Sequence, residues 1–103
     1  MIKLPVLLPR NPSMTREEFV SYHRDVHAAL LRQDELTRSL VKRYEQAHNI
    51  GAKIPGIDLP DHHFDGVAEL WFDDLVTYYT DDHYFKVIQP DEMRFIDHSR
   101  HSL

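Results

Sequence analysis

The chain has 103 residues, 42% of them hydrophobic and 28% charged, with a formal charge of −5 and no cysteine. This is enough for one domain, residues 1–103, around one core. It excludes disulfides and Cys-ligated metals, and the interleaved acids and bases leave no basic stripe for nucleic acid.

Ile2 to Leu8 is an apolar run of strand length, and Pro5, which lacks an N–H, places it at a sheet edge or bulge. Pro9, Asn11, Pro12 and Ser13 form a turn. Thr15-Arg16-Glu17-Glu18 has capping-box form, with acids in the first turn that suit the helix dipole. The helix it opens is expected to reach Arg32 or Gln33, with Phe19, Tyr22, His23, Val26, His27 and Leu30 on its inward stripe. Asp34 to Thr37 reads as a connection and Ser39 to Ile50 as a long strand. On that strand Leu40, Lys42, Tyr44, Gln46 and His48 share one face. Gly51 to Asp65, with Pro55 and Pro60, reads as a loop of lid length. Gly66 to Phe72 is a third strand, with Val67, Glu69 and Trp71 on one face and Ala68, Leu70 and Phe72 on the other. Asp73 or Asp74 caps a second helix through Leu75, Val76, Tyr78 and Tyr79. Asp81-Asp82 marks a break before Tyr84, Phe85, Val87 and Ile88, and Pro90 opens a further short turn. A fourth strand after Asp97 is expected to be short.

The order β-α-β-β-α-β predicts an α+β, ferredoxin-like fold with an antiparallel sheet. Helices on one face leave the other open, and in so small a domain a second copy of the chain is expected to cover it, giving a homodimer. No apolar run approaches the ~20 residues of a membrane span, and the apolar start is too short for a signal peptide. No membrane partner and a cytoplasmic location are therefore expected.

Two oddities point to chemistry. His23 and His27 lie on an otherwise apolar helical stripe, where a buried imidazole must find a hydrogen-bond partner. Glu69 shares its strand face with Val67 and Trp71, where a carboxylate needs a partner to stay ionised. An imidazole can take or give a proton near pH 7, and a carboxylate beside it would fix its tautomer. Tyr44 and His48 share one strand face roughly 13 Å apart, so both could line one elongated pocket. Phe19, Tyr22 and Trp71 would supply flat apolar walls. His23 and His27 also have the i, i+4 spacing of metal ligands, with Glu69 or His48 as a third. The HExxH signature is absent, however, and no metal is expected. No glycine-rich phosphate loop is present, and no organic cofactor is expected.

Five blocks together resemble the EthD family, a member of the dimeric α+β barrels. They are Arg16-Glu17-Glu18-Phe19, Tyr22 to Ala28, Arg43 to His48, Phe64 to Phe72 and Asp91 to Asp97. The resemblance implies a ferredoxin-like monomer whose sheet forms a barrel with its partner's. It departs where the family usually has Trp and this chain has His23, and in the last strand. His27 matches the family's histidine. On this basis the expected function is a homodimeric, cofactor-free enzyme. It would carry out dehydration, isomerisation or cyclisation of a small carbonyl, phenolic or lactone-like substrate. His27 would be the base or acid, Glu69 its orienting partner, Tyr44 and His48 further catalytic groups, and His23, Trp71, Phe19 and Tyr22 substrate contacts. The alternatives are an oxidoreductase or monooxygenase accessory of ether or aromatic degradation, and a non-catalytic carrier of a hydrophobic metabolite.

Overall fold

The computed structural model describes residues 1–49 and 64–97. Strand β1 (Ile2–Leu8) and strand β2 (Val41–His48) flank strand β3 (Gly66–Phe72) in an antiparallel sheet of order β1-β3-β2. Pro5 lies on β1, an outer strand, opposite Glu69, as its missing N–H requires. Along β3 burial alternates strictly: Gly66, Ala68, Leu70 and Phe72 are buried and the residues between them are not. With Val6 and Leu8 of β1 they form the sheet side of the core.

Helix α1 spans 16–33 in three segments: α-helical Arg16–Ser21, π-helical Tyr22–His27 and α-helical Ala28–Gln33. Its start is the expected capping box. Thr15 Oγ1 accepts from the Glu18 amide at 3.1 Å, and Glu18 Oε1 from the Thr15 amide at 2.9 Å. The wide middle turn corrects the expected stripe. Buried positions run Phe19, His23, His27 and Leu31, in steps of four, while Val26 is 47% exposed. In a pure α-helix each four-residue step overshoots a full turn by about 40°. The π segment, bonded i to i+5, takes more residues per turn and keeps the line straight.

The expected connection over Asp34–Thr37 is instead a helix start. Asp34 accepts from the Thr37 amide at 3.0 Å and caps helix α2 (Glu35–Leu40). β2 therefore begins at Val41 and not at Ser39. A register shift between Val41 and Arg43 puts Lys42 outside, and from there Tyr44, Gln46 and His48 face inward.

Helix α3 (Leu75–Thr80) is capped by Asp74. Helix α4 joins a π segment, Tyr84–Ile88, to an α segment, Gln89–Phe95. The further short turn expected to open at Pro90 is instead a continuation of this helix, whose wide turn admits the proline, which could not continue an ordinary i to i+4 ladder. Beyond it, Ile96 bridges Arg10 antiparallel, and the Asp97 amide donates to the Pro9 carbonyl at 2.8 Å. This contact lies on the β1 side, where a ferredoxin-like sheet carries its fourth strand. The loop read over Gly51–Asp65, except Phe64 and Asp65, lies outside the described residues, as does any strand beyond Asp97. No helix among the described residues is long and apolar enough to cross a membrane.

Candidate functional site

Between the inner sheet face and helices α1 and α4 lies a cavity of about 30 Å³. That volume holds a water or two. Its apolar walls include Leu8, Leu31, Leu70 and Ile88, and its polar lining includes His23, His27, Tyr44 and Glu92. Beside it an open groove of about 290 Å³ runs along Leu31, Arg32, Thr37, Arg38 and Val41, and Tyr44 belongs to both.

His27 Nδ1 lies 2.8 Å from Asp91 Oδ2, and Tyr22 donates its hydroxyl to Asp91 Oδ1 at 2.5 Å. Burial pushes the Asp91 carboxyl up, but the bonds from His27 and Tyr22 outweigh it and hold it below the usual carboxylate range. An ionised carboxylate only accepts, so Nδ1 of His27 carries a proton, and in the neutral ring the lone pair is on Nε2. Nε2 makes no hydrogen bond among the described residues. His27 is buried yet lines the cavity, so this pair has the geometry of an oriented base.

His23 is fully buried and both its nitrogens are engaged: Nδ1 with His48 Nε2 at 2.9 Å, Nε2 with the Tyr44 hydroxyl at 3.2 Å. Burial, then the nearby His27 and His48, drives its pKa down to about 3, so it is neutral. Burial likewise raises Tyr44 to about 12 and lowers His48. Gln46 Nε2 donates to the His23 carbonyl and to Tyr44 Oη, both at 2.8 Å, tying the wide turn of α1 to β2. With neither His23 nitrogen free, the i, i+4 histidines do not form an open metal site.

Glu92 is a buried acid on the cavity wall and accepts from the Tyr84 hydroxyl at 2.7 Å. Burial, then Glu92, pushes that phenol far up. At the far side His83 Nε2 meets Asp34 Oδ1 at 2.5 Å, while Asp34 Oδ2 accepts from Thr37 and the Thr37 hydroxyl meets the Tyr78 hydroxyl.

Of the residues expected from sequence, His23, His27 and Tyr44 reach the cavity. His48 stands behind His23 on the side away from it. Phe19 packs in the core beside His23, with ring centres 5.9 Å apart, and Tyr22 holds Asp91 and is no wall of the cavity. Glu69 and Trp71 correct the expectation most. Both lie on the outer sheet face, where Glu69 pairs with Lys3 at 2.6 Å and Trp71 is flanked by Lys3 and Arg43. The period of two sets them opposite Ala68, Leu70 and Phe72, so Glu69 cannot orient His27. Asp91 does so instead. Sequence reasoning passed over Asp91, Glu92 and Gln46. Glu92 was legible: Tyr84, Ile88, Glu92 and Phe95 recur at helical spacing and make it an acid on an apolar stripe.

Residues 11–99 match the model of one protein family, described as the EthD domain. A search of curated proteins finds no match.

Proposed function

Because the chain belongs to the EthD family, and because an oriented imidazole lines a cavity within it, we propose that it is a small acid–base enzyme. Its substrate is a small carbonyl, phenolic or lactone-like compound, and the reaction is a dehydration, isomerisation or cyclisation that needs no organic cofactor. The carrying observation is the His27–Asp91 pair: Asp91 fixes the tautomer and stabilises the imidazolium formed when Nε2 takes a proton. Tyr44 stands on the cavity wall, where its phenolic oxygen can accept a proton from the substrate. The cavity is smaller than such a substrate, so the open groove that shares Tyr44 and Leu31 with it is the proposed way in. Arg32 and Arg38 on that groove favour substrates that carry negative charge.

The outer sheet face supports the homodimer part of this reading. Leu7 is 41% exposed there, directly opposite Val67 and on the face that carries Trp71. Sedimentation velocity on the chain and on Trp71→Asp tests it; a wild-type monomer at micromolar concentration would remove the dimer.

The enzymatic reading is tested by proton NMR in deuterated water against a panel of enolisable ketones, lactones and phenols. Wild type is expected to exchange carbon-bound hydrogen of at least one compound. His27→Ala should slow that exchange by roughly 10²–10⁴-fold. A compound that binds but exchanges nothing would place the protein among carriers, and oxygen uptake on turnover would favour the oxidoreductase alternative.

A further inference from the structure

The hydrogen bonds around His23 can form a single directed line. The His23 carbonyl can only accept, so the Gln46 atom 2.8 Å from it is the amide nitrogen. That nitrogen's second hydrogen then goes to Tyr44 Oη. The Tyr44 hydroxyl, accepting there, keeps its own hydrogen for His23 Nε2, 3.2 Å away. In that arrangement His23 is the Nδ1–H tautomer and donates to His48 Nε2. The line Tyr44, His23, His48 runs from a residue on the cavity to one that is only partly buried near the end of β2.

We propose that Tyr44, His23 and His48 form a proton relay that joins the cavity to the surface. It rests on the proposed proton chemistry of the cavity and names three positioning and transfer groups for it. In one passage Tyr44 Oη takes a proton from the bound molecule and gives its own to His23 Nε2. His23 gives its Nδ1 proton to His48 Nε2, and His48 gives its Nδ1 proton to water. One proton enters and one leaves, no electrons move between groups, and no residue ends charged. The Tyr44–His23 and His23–His48 bonds then point the opposite way while Gln46 still donates to Tyr44, so the return passage delivers a proton to the product. The neutral state of His23 and Tyr44 suits this coupled transfer, since neither a free imidazolium nor a phenolate has to persist. The rings of Phe19 and Phe95 against His23 exclude water from its sides. The titratable groups facing the line are His27 from α1 and, acting at longer range, Arg24 on His48 and Glu92 and Arg32 on Tyr44.

The test uses the full chain with water as the only reactant. Nitrogen-15 NMR assigns the tautomers, and solvent-exchange NMR at neutral pH gives the exchange rate of the His23 Nδ1 proton. The relay requires that proton on Nδ1, and it requires His48→Phe to slow exchange at least tenfold. A contact that is only structural would, once lost, loosen the core and speed exchange. A proton found on Nε2, or exchange unchanged or faster in folded His48→Phe, would overturn the relay. If His48→Phe does not fold, the wild-type tautomer still decides. Neither readout uses a substrate, whereas His27 as base is read on substrate exchange, so failure of the relay and failure of His27 as base are told apart.

Discussion

Among the described residues, two histidine–carboxylate pairs have nearly the same geometry, His27–Asp91 at 2.8 Å and His83–Asp34 at 2.5 Å. Their surroundings differ. The His83 side chain is 40% exposed, and its carboxylate also caps α2 through Thr37, so that pair pins a helix start to the segment before α4. His27 is buried, and its carboxylate is shared with a tyrosine that holds it in place. His27 lines the cavity, whereas His83 lies toward solvent. On the proposed function, what separates a base from a structural pair is the surroundings of the imidazole and not the pair itself.

The strongest way to break this comparison is to remove both imidazoles in turn. His27→Ala should lower proton exchange on an accepted substrate by roughly 10²–10⁴-fold, whereas His83→Ala should leave the rate within twofold while lowering stability. Equal losses of rate would erase the distinction.

Acid titration sharpens it further. His23 titrates near pH 6.5 when unfolded and near 3 when folded. The unfolded chain therefore binds more protons between those values, and stability is lost as pH falls through that window. The loss should reach about 1.4 kcal/mol for each unit. Asp34 and Asp91, both held below their ordinary values, add loss of the same sign at more acid pH. Denaturant melts of wild type and His23→Phe check this: the variant should show a shallower acid slope.

Asp34→Ala should cost about 0.5–2 kcal/mol for the lost helix cap alone, measured by urea unfolding, with exchange on substrate unchanged. The smallest effect is expected at Glu69→Gln. Its pair with Lys3 is exposed, so stability should fall by no more than about 1 kcal/mol, and the rate should not change. A large rate loss at Glu69 would restore it as a partner of His27.

Much of the frame was legible because it follows from short-range periodicity. The alternation over Ile2–Leu8 and Gly66–Phe72 and the Thr15–Glu18 box depend on neighbours a few residues apart. So does the inward placing of His23 and His27. What failed needed knowledge from farther away. Period two says that Glu69 and Leu70 face apart, but not which of them faces the helices. Both faces of β3 carry apolar residues, and the outer one holds Val67 and Trp71. Asp91 lies 64 positions from His27, and only the packing of α4 on α1 brings them together. Asp34 read as a connection because an Asp that caps a six-residue helix resembles a turn residue until the helix behind it is seen.

The wide turn at Tyr22–His27 has a consequence for how this gene can change. It is what one extra residue looks like once absorbed by a helix. Loss of a single codon there would tighten it to an ordinary turn and leave the stretches on either side in phase. The two imidazoles would then stand three positions apart instead of four. Chain length can vary by one at this place without rethreading the interior, and the variation falls on the spacing of the two buried imidazoles.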